Sequence, residues 1–448
     1  MAFVDTLLTE TSDDQILIID RHHQPGGHWN QAYPFVRLHQ PSSFYGVSSA
    51  ELSTGVKDQV GFNSGYYELA SGAAVKAYFD NVMRNRFLPS GRVQYFPMSN
   101  YDGDGRFTSI LSGVEHQVNV RKKVVDTTYL KTKIPATHTP NFKVAAGVPF
   151  IPINKLVNIS SPPEGFVVIG GGKTGMDACI WLLENKVPAD KIKWIVPRDS
   201  WLLDRHTTQP SQEFFESTVG NMAAQFEAVA AAESIADLFH RLEDSGVLVR
   251  IDKDVTPKMF HGATVSRQEL EMLRSIKDIV RLGRVQQITT EEIVLEQGSI
   301  LTSAQHLHID CTASAVSNFE ISPIFREKMI VPQTVRSYQP VFSASMVAFV
   351  EVHFASDQEK NSLCQVVPLP NHDTDWIKML AIFMMNQYSW NQHKIIRKWL
   401  LFNRLDGFSQ LLAQADRHDP VKQAIIKRMR DNIMPAMMKL QQFMQELN

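Results

Sequence analysis

The sequence predicts an α/β fold: two Rossmann-like, three-layer units, a small antiparallel meander and a helical C-terminal region. Three observations predict it. The stretch "FVVIGGGKTGMDACIWLL" at 166–183 is an apolar run, a glycine-rich turn and a helical period in direct succession. The first twenty residues repeat the second half of that pattern, a helical period and then "ILIID". Stretches 373–415 and 420–446 are Met-rich and amphipathic at helical spacing.

The elements follow in order. Phe3, Val4, Leu7 and Leu8 recur at helical spacing, and Ile16 to Ile19 form a short strand ending at Asp20. Residues 24–65, rich in Gly, Pro, Ser and aromatics, predict a long irregular segment. A helix is expected over 72–87. "RVQYFP" and "FTSILSGVEHQVNVRKKVVDTTY" alternate in polarity and predict the meander. "KTKIPATHTPNF" is punctuated by proline and predicts a crossing between domains. A strand at Phe166 to Ile169, a helix at Thr174 to Glu184 and a strand at Ile192 to Val196 form the second unit. A helical stretch at 211–244, the apolar "GVLVRI", a helix over 266–276 and short strands up to "LHIDCTAS" follow.

Gly170, Gly172 and Gly175 form G-x-G-x-x-G with a strand before it and a helix after it. That context gives each glycine a role. Gly170 allows the tight turn, Gly172 lets the backbone approach a pyrophosphate, and Gly175 lets helix and strand pack closely. The helix N-terminus then turns free N–H groups and a positive dipole end toward the phosphates. Lys173 and Thr174 open that helix. Where an acid commonly accepts from the ribose 2′-hydroxyl, this chain has "VPRDSWLLDR". Arg198 and Arg205 fit a 2′-phosphate, which predicts NADP(H). Asp199 is the competing ribose acceptor, which keeps NAD open.

The N-terminal stretch aligns with the helix of this unit. "MAFVDTLL" lies under "MDACIWLL", with Met1 on Met176, so the position before Met1 corresponds to Gly175. Asp20 then falls at the ribose-acid position, about 20 residues beyond the loop. By this register the first unit lacks its strand and phosphate loop. The expectation is either a start lying upstream or an inactive truncated product, and a chain that purifies flavin-poor. The absent strand would be central in the usual order, leaving unpaired edges.

Two such units, with "GGHWNQAYPFVRLHQPSSFYG", "DTTY" at 126–129 and "DCTAS" at 310–314, make the chain resemble flavin-containing and Baeyer–Villiger-type monooxygenases over residues 1 to about 315. The resemblance implies an FAD- and NADP(H)-dependent oxidoreductase. Hydride would pass from NADPH to the flavin and on to O2 or an organic acceptor. It places FAD at Asp20, Gly26, Gly27, Trp29 and Thr128, and borders the flavin with Tyr33, Arg37 and His39. Arg37 and His39 are the candidate catalytic residues: Arg37 to orient a cofactor or anionic substrate, His39 as an acid or base near neutral pH, or as a structural histidine. The implied domains are 1–140 (FAD-type, truncated), 141–305 (NADP-type, with the insertion at 211–244), 306–370 (a return to the first domain) and 371–448 (helical). The signature that identifies the monooxygenases is absent, with Ile151 where its His would stand. A regulatory protein that binds NADP without flavin turnover is the alternative.

Composition narrows the classes. The 448 residues carry a net charge of −2, which gives no reason to expect nucleic acid or an anionic membrane as partner. The three cysteines form no CxxC pair, and no His cluster has ligand spacing, so neither a dithiol reductase nor a metal site is expected. The apolar stretch "WIKMLAIFMMNQYSW" is too short to span a bilayer, and no signal peptide is evident. The expected setting is the cytoplasm, with a small-molecule substrate and a homodimer through the C-terminal helices.

Overall fold

The computed structural model describes residues 1–129, 133–313 and 320–447. The chain opens with α1 (Ala2–Glu10) and β1 (Ile16–Ile19). An irregular segment leads to α2 (Gly72–Val82), whose first turn is capped by the Ser71 side chain accepting from Ala74 N–H. α2 continues through Met83–Phe87 as a π-helical turn. The chain then returns as β2 (Val93–Phe96), parallel to β1 with Ile16 opposite Val93 and Ile19 opposite Phe96.

This corrects one expectation. "RVQYFP" is not a meander strand but the parallel partner of β1, with α2 as the crossover between them. Alternation marks a half-buried strand without naming its neighbour. Here Val93 turns inward onto Phe79, Val82 and Phe87. The meander proper is β3 (Ser99–Gly103), β4 (Arg106–Ser109) and β5 (Glu115–Gln117), all antiparallel.

The second unit is built on β6 (Phe150–Pro152), β7 (Gly165–Ile169), β8 (Ile192–Ile195), β9 (Ser200–Asp204), β10 (Met259–Val265), β11 (Asp278–Val280) and β12 (His306–Asp310). Five of these form a parallel sheet in the order β6-β12-β7-β8-β11. β9 and β10 pair separately. Every residue of β7 is buried because both faces are covered, as expected of a central parallel strand. On one face Phe166 and Val168 pack with Met176, Cys179 and Ile180 of α3 (Lys173–Glu184). On the other, Val167 and Ile169 pack on Val285, Ile288, Ile293 and Leu295 of a small sheet. This is a three-layer arrangement.

The helical insertion is α4 (Phe215–Ala231) and α5 (Ile235–Asp244), followed by α6 (Arg267–Ser275) with a Ser266–Glu269 capping box. "GVLVRI" contributes only the bridge between Val249 and Leu202. α7 (Pro340–His353), which the sequence did not announce, packs on α1 and joins it through Thr6 Oγ1 and Ser345 Oγ at 2.7 Å. α8 (Asp357–Leu363) follows. The two expected C-terminal helical stretches are four helices: α9 (Asp375–Gln392), α10 (Lys394–Phe402), α11 (Phe408–Ala413) and α12 (Pro420–Glu446). α12 packs on α4 and α9. Among the described residues, no helix is long and apolar enough to cross a membrane.

Candidate dinucleotide-binding site

The three loop glycines meet different surroundings. Gly170 has φ +130, and a Cβ there would lie 2.6 Å from the carbonyl oxygen of Cys311 at the end of β12. Only glycine fits that close approach. At Gly175 a Cβ would drive into the carbonyl oxygen of Gly170, so α3 sits on the loop without room for a side chain. At Gly172 a Cβ would meet nothing within 4 Å. Gly172 is the N-cap of α3, and no side chain caps it. The first amides of α3 are therefore open at the one loop position with free space, the geometry an anion uses at a helix N-terminus.

The carboxyl ends of β8 and β11 supply cations. Arg198 donates through Nη2 to Asn371 Oδ1 at 2.8 Å, and its carbonyl lies close to Gly171. Burial, and then the like charge of Arg284, pull the Arg198 guanidinium below its usual range. Arg284 is exposed. Asp199, the competing ribose acceptor, is held by Arg281 through both carboxylate oxygens at 2.8 and 3.0 Å. Arg281 also pairs with Asp252 at 3.0 Å. Two neighbouring cations suit a 2′-phosphate, whereas the acid that would suit a 2′-hydroxyl is occupied by Arg281. Sequence spacing missed Arg284, which becomes a neighbour of Arg198 only through β8–β11 pairing.

Arg205 does not join that cluster. Its guanidinium is 1% exposed, pairs with Glu269 at 2.5 Å and donates to the carbonyl of His39 at 3.0 Å. Its place as a 2′-phosphate ligand is therefore corrected: it is an internal cation, with its donors spent inside the protein. Lys173 is likewise bound on the helix face, to Asp177 and, at 3.6 Å, to Glu269. Tyr33 donates to Asp177 Oδ2 at 2.5 Å. Burial, then the Asp177 charge, raise the Tyr33 phenol well above its usual range. The chain Tyr33–Asp177–Lys173–Glu269–Arg205 ties the irregular segment to α3 and α6.

A cavity of about 310 Å³ lies beside this chain, lined among others by Arg37, Phe62, Lys173, Trp181, Glu184 and Arg205. Arg37 is exposed at its rim. His39 lies close to Lys173, Arg205 and Glu269. Burial, then the Lys173 and Arg205 charges, drive its imidazole down to about 3, with Glu269 opposing. His39 is thus neutral near pH 7, which fits the structural histidine of the two readings the sequence left open. A larger cleft, about 1240 Å³, lies between α4, α5, α6 and α12. Its charges include Arg250–Glu243 and Arg274–Glu271 ion pairs.

In the first unit, Asp20 Oδ1 accepts from His22 N–H at 2.9 Å. The Tyr95 hydroxyl lies beside Asp20, and burial, then the Asp20 charge, push its phenol up. Gly26 and Gly27 have φ +127 and +54, and a Cβ on Gly27 would meet nothing within 4 Å. Trp29 donates to Tyr45 Oη at 2.8 Å. Thr128 donates through N–H and hydroxyl to Asp126 Oδ1 at 2.8 and 2.7 Å. Thr312 repeats that turn on Asp310 Oδ1 at 2.9 and 2.6 Å. Ser314 of the second crossing lies outside the described residues. Among the described residues, no group of three or more His, Cys, Asp or Glu is arranged to hold a metal.

No protein-family model matches the chain. Over 426 residues it is 45% identical to "Uncharacterized protein Rv2000" of Mycobacterium tuberculosis (strain ATCC 25618 / H37Rv), covering 95% of this chain and 79% of that protein. "Uncharacterized protein Mb2023" of Mycobacterium bovis matches with the same identity and coverage. The chain belongs to the family of these mycobacterial proteins. Solved structures align with the chain at low identity. A closed crystal structure of cyclohexanone monooxygenase aligns with 96% of this chain and 95% of its own, with a TM-score of 0.47 and 11% identity. A flavin-containing monooxygenase from Stenotrophomonas maltophilia aligns with 81% of this chain and 95% of its own, with a TM-score of 0.43 and 11% identity. The family rests on the mycobacterial relatives.

Proposed function

We propose that the chain is an FAD-dependent oxidoreductase that draws its electrons from NADPH. One observation carries the reading: an uncapped α3 N-terminus opens onto free space at Gly172, in the loop that Arg198 adjoins. The α3 amides would hold the diphosphate of NADPH, and Arg198 and Arg284 would neutralise its 2′-phosphate. Lys173, spent on Asp177 and Glu269, orients α3 rather than the cofactor.

The first unit fits FAD in part. Asp20 stands at the end of β1, where a ribose hydroxyl would bind, and Gly27 leaves room for close approach. The described residues of this unit supply no phosphate loop. FAD, when bound, accepts hydride from the nicotinamide and passes electrons to O2 or to an organic acceptor. The chain's part is to hold the two rings together and shield them. The Arg37 guanidinium lines the cavity available for this, and the neutral imidazole of His39 lies near Lys173 and Arg205 of its wall.

A second reading, an NADP-binding regulatory protein without flavin turnover, rests on the Gly170–Gly175 site alone. Purified protein supplemented with FAD separates the two. The first reading expects NADPH oxidation that depends on added FAD and consumes oxygen or a supplied acceptor. NADPH binding with no oxidation at saturating FAD would establish the second reading instead.

A further inference from the structure

The overall charge gives no reason to expect an anionic surface as partner, but the charge is unevenly distributed. Residues 376–405 hold five cations (Lys378, Lys394, Arg397, Lys398 and Arg404) and no Asp or Glu, in a chain of net charge −2. Arg404 is spent internally, donating to the carbonyls of Ser43, Tyr45 and Ala50 at 2.8 Å each. Lys394, Arg397 and Lys398 are exposed on α10, and no acid of the described residues pairs with them.

α10 is anchored by its inner face. Ile396 and Leu400 are buried, and Trp399 stacks on Phe349 at 4.6 Å. Its outer face is unusual for a water-facing surface. At 100° per residue, Lys394, Lys398 and Phe402 fall within one quarter-turn, with Ile395 at its edge. Phe402 is 76% and Ile395 44% exposed. Met385 and Tyr388 add exposed apolar surface on α9, the helix packed against α10. An apolar ridge flanked by unpaired Lys and Arg is what an interfacial helix presents to anionic lipid.

We propose that the outer face of α10 docks the protein on anionic lipid headgroups, with Phe402 and Ile395 entering the headgroup–acyl boundary. A second copy of the chain fits less well. A twofold interface through this face would set Lys394, Arg397 and Lys398 against their own copies, with no acid between 376 and 405 to answer them. Nucleic acid would satisfy the cations but leave the two apolar side chains in water.

The test is sedimentation of the full chain with phosphatidylcholine vesicles, with and without phosphatidylglycerol, at low and high salt. Binding is expected only to the anionic vesicles, weakening with salt. Each of Lys394→Glu, Arg397→Glu and Lys398→Glu should weaken binding about fivefold or more. Phe402→Ser should weaken it about tenfold with folding unchanged, since that side chain is mostly in water. No sedimentation with anionic vesicles would overturn the proposal. So would binding unchanged when Lys394, Arg397 and Lys398 are all replaced by Glu, a solution dimer abolished by Phe402→Ser, or preferential binding of duplex DNA.

Discussion

Replacing single glycines of the Gly170–Gly175 turn should separate binding from folding. In Gly175→Ala the new methyl would lie 2.0 Å from the Gly170 carbonyl oxygen, well inside any contact distance. The clash is with backbone, so no rotamer change relieves it, and α3 must move off the loop. Overpacking of this kind costs about 1–3 kcal/mol and at times more. In Gly172→Ala the methyl enters space with no heavy atom within 4 Å, and the backbone at φ −84 suits any residue. Alanine is a poorer N-cap than glycine, so stability should change by no more than about 1 kcal/mol. That same methyl stands where a diphosphate must approach the α3 amides. NADPH should bind at least about tenfold more weakly, a loss of about 1.4 kcal/mol. Urea unfolding and a fluorescence titration with NADPH measure the two quantities on one preparation. The reasoning fails if Gly172→Ala binds NADPH like the parent, or if it loses as much stability as Gly175→Ala.

Three further outcomes follow from the buried groups. Glu269→Gln leaves the Arg205 guanidinium buried without its carboxylate, and should cost about 3–5 kcal/mol in chemical denaturation; a loss below 1 kcal/mol would show that the pair is dispensable. His39 has a folded pKa of about 3, below its ordinary 6.5. Between these values the unfolded chain binds a proton that the folded chain does not, so stability falls as pH drops from about 6.5 toward 3 and is indifferent to this group above that window. His39→Gln should flatten that acid limb in melting curves, and an unchanged limb would remove His39 as its source. Tyr33→Phe removes a donor from Asp177, which keeps Lys173, so about 1 kcal/mol is expected, measured by urea unfolding.

The parts legible in the sequence are those whose physics is local. Three glycines between a strand and a helix announce their turn because the loop, the helix cap and the close approach all fall within six residues. β1 and α1 were legible from apolar spacing alone. What escaped depends on distant segments. Arg205 stands seven residues beyond Arg198, but its surroundings come from His39, Asn63, Thr264 and Glu269. Arg284 reaches Arg198 only because β11 lies beside β8. α7 gave no helical period because apolar residues surround it: Phe342, Met346, Val347, Phe349 and Val350 are all buried. β2 alternates like a meander strand, and only the α2 crossover assigns it to β1. His39 lies near Lys173 and Arg205 through the fold, and that neighbourhood sets its protonation.

The central claim is that Arg198 and Arg284 make the second unit a site for the 2′-phosphate of NADPH. The most direct measurement is the dissociation constant of NADPH and of NADH, for the parent chain and for Arg198→Ala/Arg284→Ala. The parent should bind NADPH at least about tenfold more tightly than NADH, and the double variant should lose that preference while keeping its NADH affinity. Equal affinities in the parent, or a preference that survives the double variant, would contradict the account.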